Sequence, residues 1–174
     1  IATFELSGAD VWAALENGVS RAENPENEGT GRFAQVSGVR YTWNPDLPAG
    51  SRVTSVEVKN ADGTYSPIDP NAIYKVAANN FNRGGGDDYS VFAENAINPY
   101  DYGPTLADAV AEYISANSPV APEVEGRIIQ SAEAAPAPAE LPPTGALPVP
   151  VPIVLTAAGF ALAGAGLLVR RKQD

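Results

Sequence analysis

The sequence predicts a mixed α+β (α/β) domain, a single domain with a mixed sheet and flanking helices, followed by a tail of different character. Three observations predict it. Strand-like segments recur at 1–6, 33–43, 52–59 and 73–78. Two stretches carry apolar residues at helical spacing: Val11, Trp12, Leu15, Val19 and Leu106, Val110, Tyr113, Ile114. The two kinds of segment follow no regular βαβ repeat.

In chain order, Ile1 to Leu6 alternates roughly as a strand does. Ser7-Gly-Ala-Asp10 supplies a turn and cap, and Asp10 to Val19 reads as a short helix. Trp12 on its apolar face reads as core rather than ligand contact. Arg21 to Gly31 contains Asn-Pro and two glycines and reads as a loop. Phe33 to Trp43 is expected as one long strand bent at Gly38, with Phe33 on the core side. Arg52 to Lys59 is a second strand, Asn60-Ala-Asp-Gly63 a hairpin turn, and Tyr65 to Ile68 its short partner. Ile73 to Ala78 is an apolar run expected as a buried strand. Val91 to Glu94 reads as a helical turn, and Pro104 as the first residue of a helix ending near Asn117. Val124 to Ile129 returns as a final strand.

Composition excludes several chemistries. The 174 residues carry a formal charge of −10, which argues against nucleic-acid binding. There is no Cys, so neither disulfides nor thiol catalysis are possible, and the redox compartment stays open. There is no His, which removes Ser-His-Asp catalysis and His-rich metal sites. No Met stands at position 1 and the first residues read mid-strand, so the chain is expected to be the C-terminal piece of a longer protein.

The segment most able to carry function is Asn79 to Tyr89, Asn-Asn-Phe-Asn-Arg-Gly-Gly-Gly-Asp-Asp-Tyr. Gly84, Gly85 and Gly86 free positive φ and let a ligand approach the backbone. Phe81 precedes them; Asp87 and Asp88 follow. A ring can stack a base, and a carboxylate can accept from ribose hydroxyls. The same residues also read as a wide turn with an exposed Asp pair, and spacing alone leaves both readings open.

Asn80 to Tyr89 resembles the NFxxxGGDGY segment of the C-terminal, substrate-binding domain of 5'-nucleotidases. That family includes UDP-sugar hydrolases, 2',3'-cyclic phosphodiesterases and ecto-5'-nucleotidase. Three further stretches agree in order: Thr3 to Asp10, Gly31-Arg-Phe-Ala-Gln-Val-Ser-Gly38 with GxFxQxSG, and Val124 to Ile128 with the closing strand. The likeness covers residues 1–129. Asp88 departs from it, standing where the family usually has Gly.

The resemblance implies roles. Phe81 matches the second of two rings that sandwich the base; the first lies in a Pro-Phe-Gly-Asn segment that would fall upstream of Ile1. Asp87 matches the carboxylate that holds the ribose hydroxyls, and Gly31 a glycine whose backbone lies beside the base. Arg83 has no counterpart and reads as an exposed loop cation. The family's two divalent metals and its phosphate-binding arginines belong to upstream segments. This chain is therefore expected to hold no metal and no catalytic residue, and to bind the nucleoside of a nucleotide substrate.

The tail is tripartite. Residues 130–140 form an Ala/Pro/Glu linker expected to be extended and unfolded. Leu141-Pro-Pro-Thr-Gly145 follows, then an apolar run at 146–169 and a basic cluster at 170–172. The run has the length of a transmembrane helix, although Pro148, Pro150 and Pro152 leave only about 17 residues to span. The basic end would stay cytoplasmic. The order resembles an LPxTG cell-wall sorting signal of Gram-positive bacteria; the other reading is an ordinary C-terminal membrane anchor. The resemblance implies a sortase recognising Leu141, Pro142, Thr144 and Gly145. It would cleave after Thr144 and join it to peptidoglycan, so membrane insertion is transient. Cleavage removes three basic residues and one acidic residue, taking the formal charge to −12.

The functional expectation is the nucleotide-binding part of a secreted, wall-anchored 5'-nucleotidase-type hydrolase acting on extracellular nucleotides. The alternative is a non-catalytic surface or adhesion module that keeps the fold.

Overall fold

The computed structural model describes residues 1–22 and 31–132. The linker beyond 132, the sorting motif with Leu141, Pro142, Thr144 and Gly145, and the apolar run at 146–169 lie outside the described residues. Among the described residues no helix is long and apolar enough to cross a membrane.

The α+β expectation holds, with the strands divided over two sheets. β1 (Ala2–Ser7) is the centre of a three-stranded antiparallel sheet, between β5 (Ile73–Ala78) and β6 (Ile97–Tyr100). The second sheet has the order β4 (Tyr65–Pro67), β3 (Val53–Lys59), β2 (Val39–Trp43), β7 (Ile128–Gln130). It is mixed: β2 pairs antiparallel with β3 and parallel with β7, Tyr41 opposite Ile128.

Helix α1 (Gly8–Val19) packs on β1 and β3 and so joins the two sheets. Leu15 and Val19 meet Tyr41, Trp43, Val53, Val56 and Ile68. Ala14 meets Phe4, Leu6, Tyr89 and Phe92. Phe4, Leu6 and Val19 are fully buried, and each contributes about 1.5–3 kcal/mol by leaving water. Trp12 and Phe33 pack against the first cluster, as core readings require, Phe33 edge-on to Trp43 at 6.0 Å.

A buried polar pair holds α1 to β3. Glu16 accepts from the backbone N–H groups of Arg52 at 3.0 Å and Val53 at 2.7 Å. Arg52 Nη1 donates to the carbonyls of Val19 and Ser20, both at 2.9 Å, at the C-terminal end of α1. A cation from another element thus satisfies carbonyls that the helix leaves unbonded.

Several boundaries differ from expectation. α1 begins two residues early because Ser7, not Asp10, caps it: Ser7 Oγ accepts from the Asp10 N–H at 3.1 Å. Asp10 returns the contact, its carboxyl held below the usual range by the Ser7 hydroxyl. Residues 33–38 are not strand; β2 starts at Val39, where pairing with Val58 begins. β5 is an edge strand, not a buried one, with Ile73 exposed. Pro104 lies outside its helix: α4 (Leu106–Asn117) is capped by Thr105, whose Oγ1 accepts from the Asp108 N–H at 3.1 Å. Its apolar stripe, Leu106, Val110, Tyr113 and Ile114, is exposed. The closing strand is only β7, since pairing with β2 starts at Ile128. β6 is unexpected because Asn98-Pro99 reads as a strand breaker; its ladder with β1 shifts register between Thr3 and Glu5.

Candidate functional site

The loop after β5 is folded tightly. Asn79 caps a single helical turn, α2 (Asn80–Arg83), by accepting from the Asn82 N–H at 2.7 Å. Gly84 ends that turn, its N–H bonded to the Asn80 carbonyl at 3.1 Å. Gly85 takes φ 92°, a conformation open to glycine, and reverses the chain into a 3₁₀ turn at Gly86–Asp88. The reversal lays the Phe81 ring over Gly86. A Cβ at Gly86 would stand 2.6 Å from three ring carbons, so the ring fits only because that position is bare. Phe81 is nonetheless 59% exposed. One part of the ring rests on the loop and the rest faces water.

Asp87 and Asp88 both have positive φ, 54° and 59°. The glycine that the family motif usually carries at the position of Asp88 follows from that backbone. The two carboxylates differ in their partners. Asp88 accepts an ion pair from Arg32 Nη1 at 2.8 Å, with Arg21 Nη2 at 3.8 Å from the same oxygen. The exposed Asp87 carboxylate makes no hydrogen bond or ion pair among the described residues. Its main chain is held instead: Asn17 Nδ2 donates to the Asp87 carbonyl at 2.9 Å.

Two aromatic and cationic anchors tie the loop to the core. Tyr89 is buried, stacks on Phe92 at 4.9 Å, and donates its hydroxyl to the Arg32 carbonyl at 2.7 Å. Burial first, and the nearby Asp87 charge second, push its pKa up to about 12. The hydroxyl therefore stays a donor at ordinary pH. Arg83 corrects an expectation. Its side chain is 14% exposed, not a loop cation in water. Nη1 donates to the Phe92 carbonyl at 2.8 Å, and the guanidinium lies 5.5 Å from the Phe4 ring centroid. Nε stands 3.4 Å from an Asp101 oxygen, close enough for attraction but without an aligned hydrogen bond.

Gly31, the remaining expected contact, is exposed and reaches the loop through its neighbour Arg32. It also lines a groove of about 520 Å³ with Phe33, Asn79, Asn82 and Tyr89. Phe81 and Asp87 do not line that groove, but Asn82 and Tyr89 of the same loop do. The two divalent metals implied for upstream segments find no counterpart here. Among the described residues no group of three or more His, Cys, Asp or Glu could hold a metal. The donor set does not fit such a centre.

The family model for the 5'-nucleotidase C-terminal domain matches residues 1–94, more than half of the chain. The chain belongs to the 5'-nucleotidase family. The matched stretch of this 5'-nucleotidase C-terminal domain ends with α3 (Ser90–Glu94) and contains the whole Asn79 to Tyr89 loop. The trifunctional nucleotide phosphoesterase protein YfkN of Bacillus subtilis is 38% identical over 125 residues, 71% of this chain and 8% of that protein. The 5'-nucleotidase of Diplobatis ommata is 36% identical over 129 residues, covering 72% and 22%. The crystal structure of a 5'-nucleotidase precursor from Thermus thermophilus superposes with a TM-score of 0.70 at 42% identity, covering 76% and 25%. The chain thus spans a quarter or less of the length of these relatives.

Sequence reasoning missed Arg32, Asn17 and the pairing of Asp88. Arg32 sat inside a recognised motif, but nothing in its spacing tied it to a loop more than fifty residues away.

Proposed function

We propose that this 5'-nucleotidase C-terminal domain holds the nucleoside of a nucleotide substrate at Phe81, Asp87, Gly31 and the Gly84-Gly85-Gly86 turn. The observation that carries the reading is an exposed ring, seated on Gly86, in the same short loop as an exposed Asp87 carboxylate that has no partner among the described residues. The ring offers a face for a base, and the carboxylate offers acceptors for two adjacent hydroxyls. The whole protein would hydrolyse a phosphoester, as the trifunctional nucleotide phosphoesterase and 5'-nucleotidase names of the relatives suggest; two divalent metals outside this chain would supply that chemistry. The substrate would be an extracellular nucleotide.

The test is calorimetric titration of adenosine into the whole protein and into its Phe81→Ala variant. Saturable binding that the variant loses by roughly 1–3 kcal/mol supports the reading. Equal binding with an intact fold returns Phe81 to a structural role. Binding by neither leaves the surface-module alternative standing.

Location rests on the tail. Sortase would cut Thr144–Gly145 and link Thr144 to peptidoglycan, after the 146–169 run and the basic residues 170–172 had paused export at the membrane. Wall fractions digested with a muramidase should yield a peptide ending at Thr144 with a wall-derived amine. Intact chain through Asp174, found only in detergent-extracted membrane, would mean a plain anchor.

A further inference from the structure

Arg32 contacts both α1 and the end of the Asn79–Tyr89 loop. Its guanidinium, 11% exposed, donates from Nη1 to Asn17 Oδ1 at 3.1 Å, and the same nitrogen forms an ion pair with the Asp88 carboxylate at 2.8 Å. Asn17 in turn donates to the Asp87 carbonyl at 2.9 Å. The circuit Arg32–Asn17–Asp87–Asp88–Arg32 closes through the peptide bond between the two aspartates. The carbonyl of Arg32 accepts from Tyr89, the residue after Asp88. Both the side chain and the main chain of Arg32 therefore grip one three-residue stretch, and its other neighbour is Gly31.

That grip answers a cost. Asp87 and Asp88 sit at positive φ, where a residue with a Cβ is strained by roughly 1–2 kcal/mol. An ion pair to a largely buried guanidinium offsets such strain better than an exposed pair would. The circuit also partitions the two carboxylates. Asp88 occupies the guanidinium, and Asp87, one residue before it, has no ion-pair partner among the described residues. A loosened loop would let the Asp87 carboxylate wander relative to the Phe81 ring. A carboxylate must be placed well to accept from two vicinal hydroxyls together.

We propose that Arg32 is a positioning residue of the nucleoside seat, selecting ribose over ribose lacking its hydroxyls by fixing Asp87 through Asn17 and Asp88. The proposal rests on the nucleoside reading above and adds the determinant of its sugar selectivity. Arg32 touches no substrate in this scheme; it acts through the main chain of Asp87.

The experiment titrates adenosine and 2',3'-dideoxyadenosine into the whole protein, unmodified and as Arg32→Met, Arg32→Lys and Arg21→Met. Arg32→Met should lower adenosine affinity about tenfold and dideoxyadenosine affinity less than about twofold, since the hydroxyl contact is lost and the stack remains. Arg32→Lys should keep part of the selectivity, and Arg21→Met nearly all of it. Equal losses for both ligands, or none, overturn the proposal. Amide hydrogen exchange on the unliganded proteins gives a second readout. Exchange at Asp87, Asp88 and Tyr89 should speed up in Arg32→Met and not in Arg21→Met. If the unmodified whole protein binds neither nucleoside, the nucleoside reading fails by that result alone. Unchanged exchange in Arg32→Met would then separately overturn the hold of Arg32 on the loop.

Discussion

The ring of Phe81 occupies the space that a side chain on Gly86 would need: an added Cβ would meet three ring carbons at 2.6 Å. The blocking atoms are the far end of a side chain that can swing outward, not backbone. Gly86→Ala should therefore cost little stability, under about 1 kcal/mol, while displacing the ring. Adenosine affinity should fall nearly as far as in Phe81→Ala, by roughly 1–3 kcal/mol. Thermal melts run beside the titrations separate the two effects. A Gly86→Ala variant that binds as well as the unmodified chain would show that the ring's seat is irrelevant to binding.

The neighbouring carboxylates should behave as opposites. Asp87→Asn leaves the loop's ion pair in place and removes a charged acceptor, so adenosine binding should weaken by about 1.5–3 kcal/mol. Asp88→Gly removes the ion pair but suits the positive φ of 59°, so its fold should survive while ordering of the loop declines. A larger loss of ribose contact in Asp88→Gly than in Asp87→Asn would reverse the assignment of the two residues.

What could be read from the sequence was local. The alternation of Ile1 to Leu6, the hairpin at Asn60 to Gly63 and the helical spacing of Val11, Leu15 and Val19 reflect short-range patterns, and the elements formed there. Phe81, the three glycines and Asp87 were singled out because they lie within one short motif. The misses involve partners distant in the chain. Arg83 is drawn inward by the Phe92 carbonyl and the Phe4 ring, neither visible from a glycine-flanked arginine. Asp88 read only as a departure from the motif, and its ion pair with the distant Arg32 was not visible. Residues 33–38 carried a strand's alternation but found no ladder partner, so pattern without pairing produced no strand.

Glu16 offers a test of the scaffold under the site. Its buried carboxylate accepts from two backbone N–H groups at the start of β3, Arg52 and Val53. Glu16→Ala would strand both donors, costing about 2–4 kcal/mol in total. Urea denaturation should show a lower midpoint with an unchanged slope. A loss under about 0.5 kcal/mol would mean that water replaces the carboxylate there.

Alkaline pH should weaken one anchor of the loop. Tyr89 has its pKa pushed from the ordinary 10 to about 12, chiefly by burial. A raised folded value means that the protonated form is the one favoured by folding. Its contribution is complete below pH 10 and is lost as pH rises toward and through about 12. Tyr89→Phe keeps the ring stacked on Phe92 but removes the bond to the Arg32 carbonyl, a loss of about 1 kcal/mol at neutral pH. Raising the pH then erodes an advantage that only the unmodified chain holds, so the stability gap between the two proteins should narrow above about pH 10. Tyr41, also raised by burial, remains in both proteins and contributes equally to each. Urea midpoints measured from about pH 8 to about pH 11.5 decide the matter. A gap of constant size across that range would show that the Tyr89 hydroxyl does not lock the loop to Arg32.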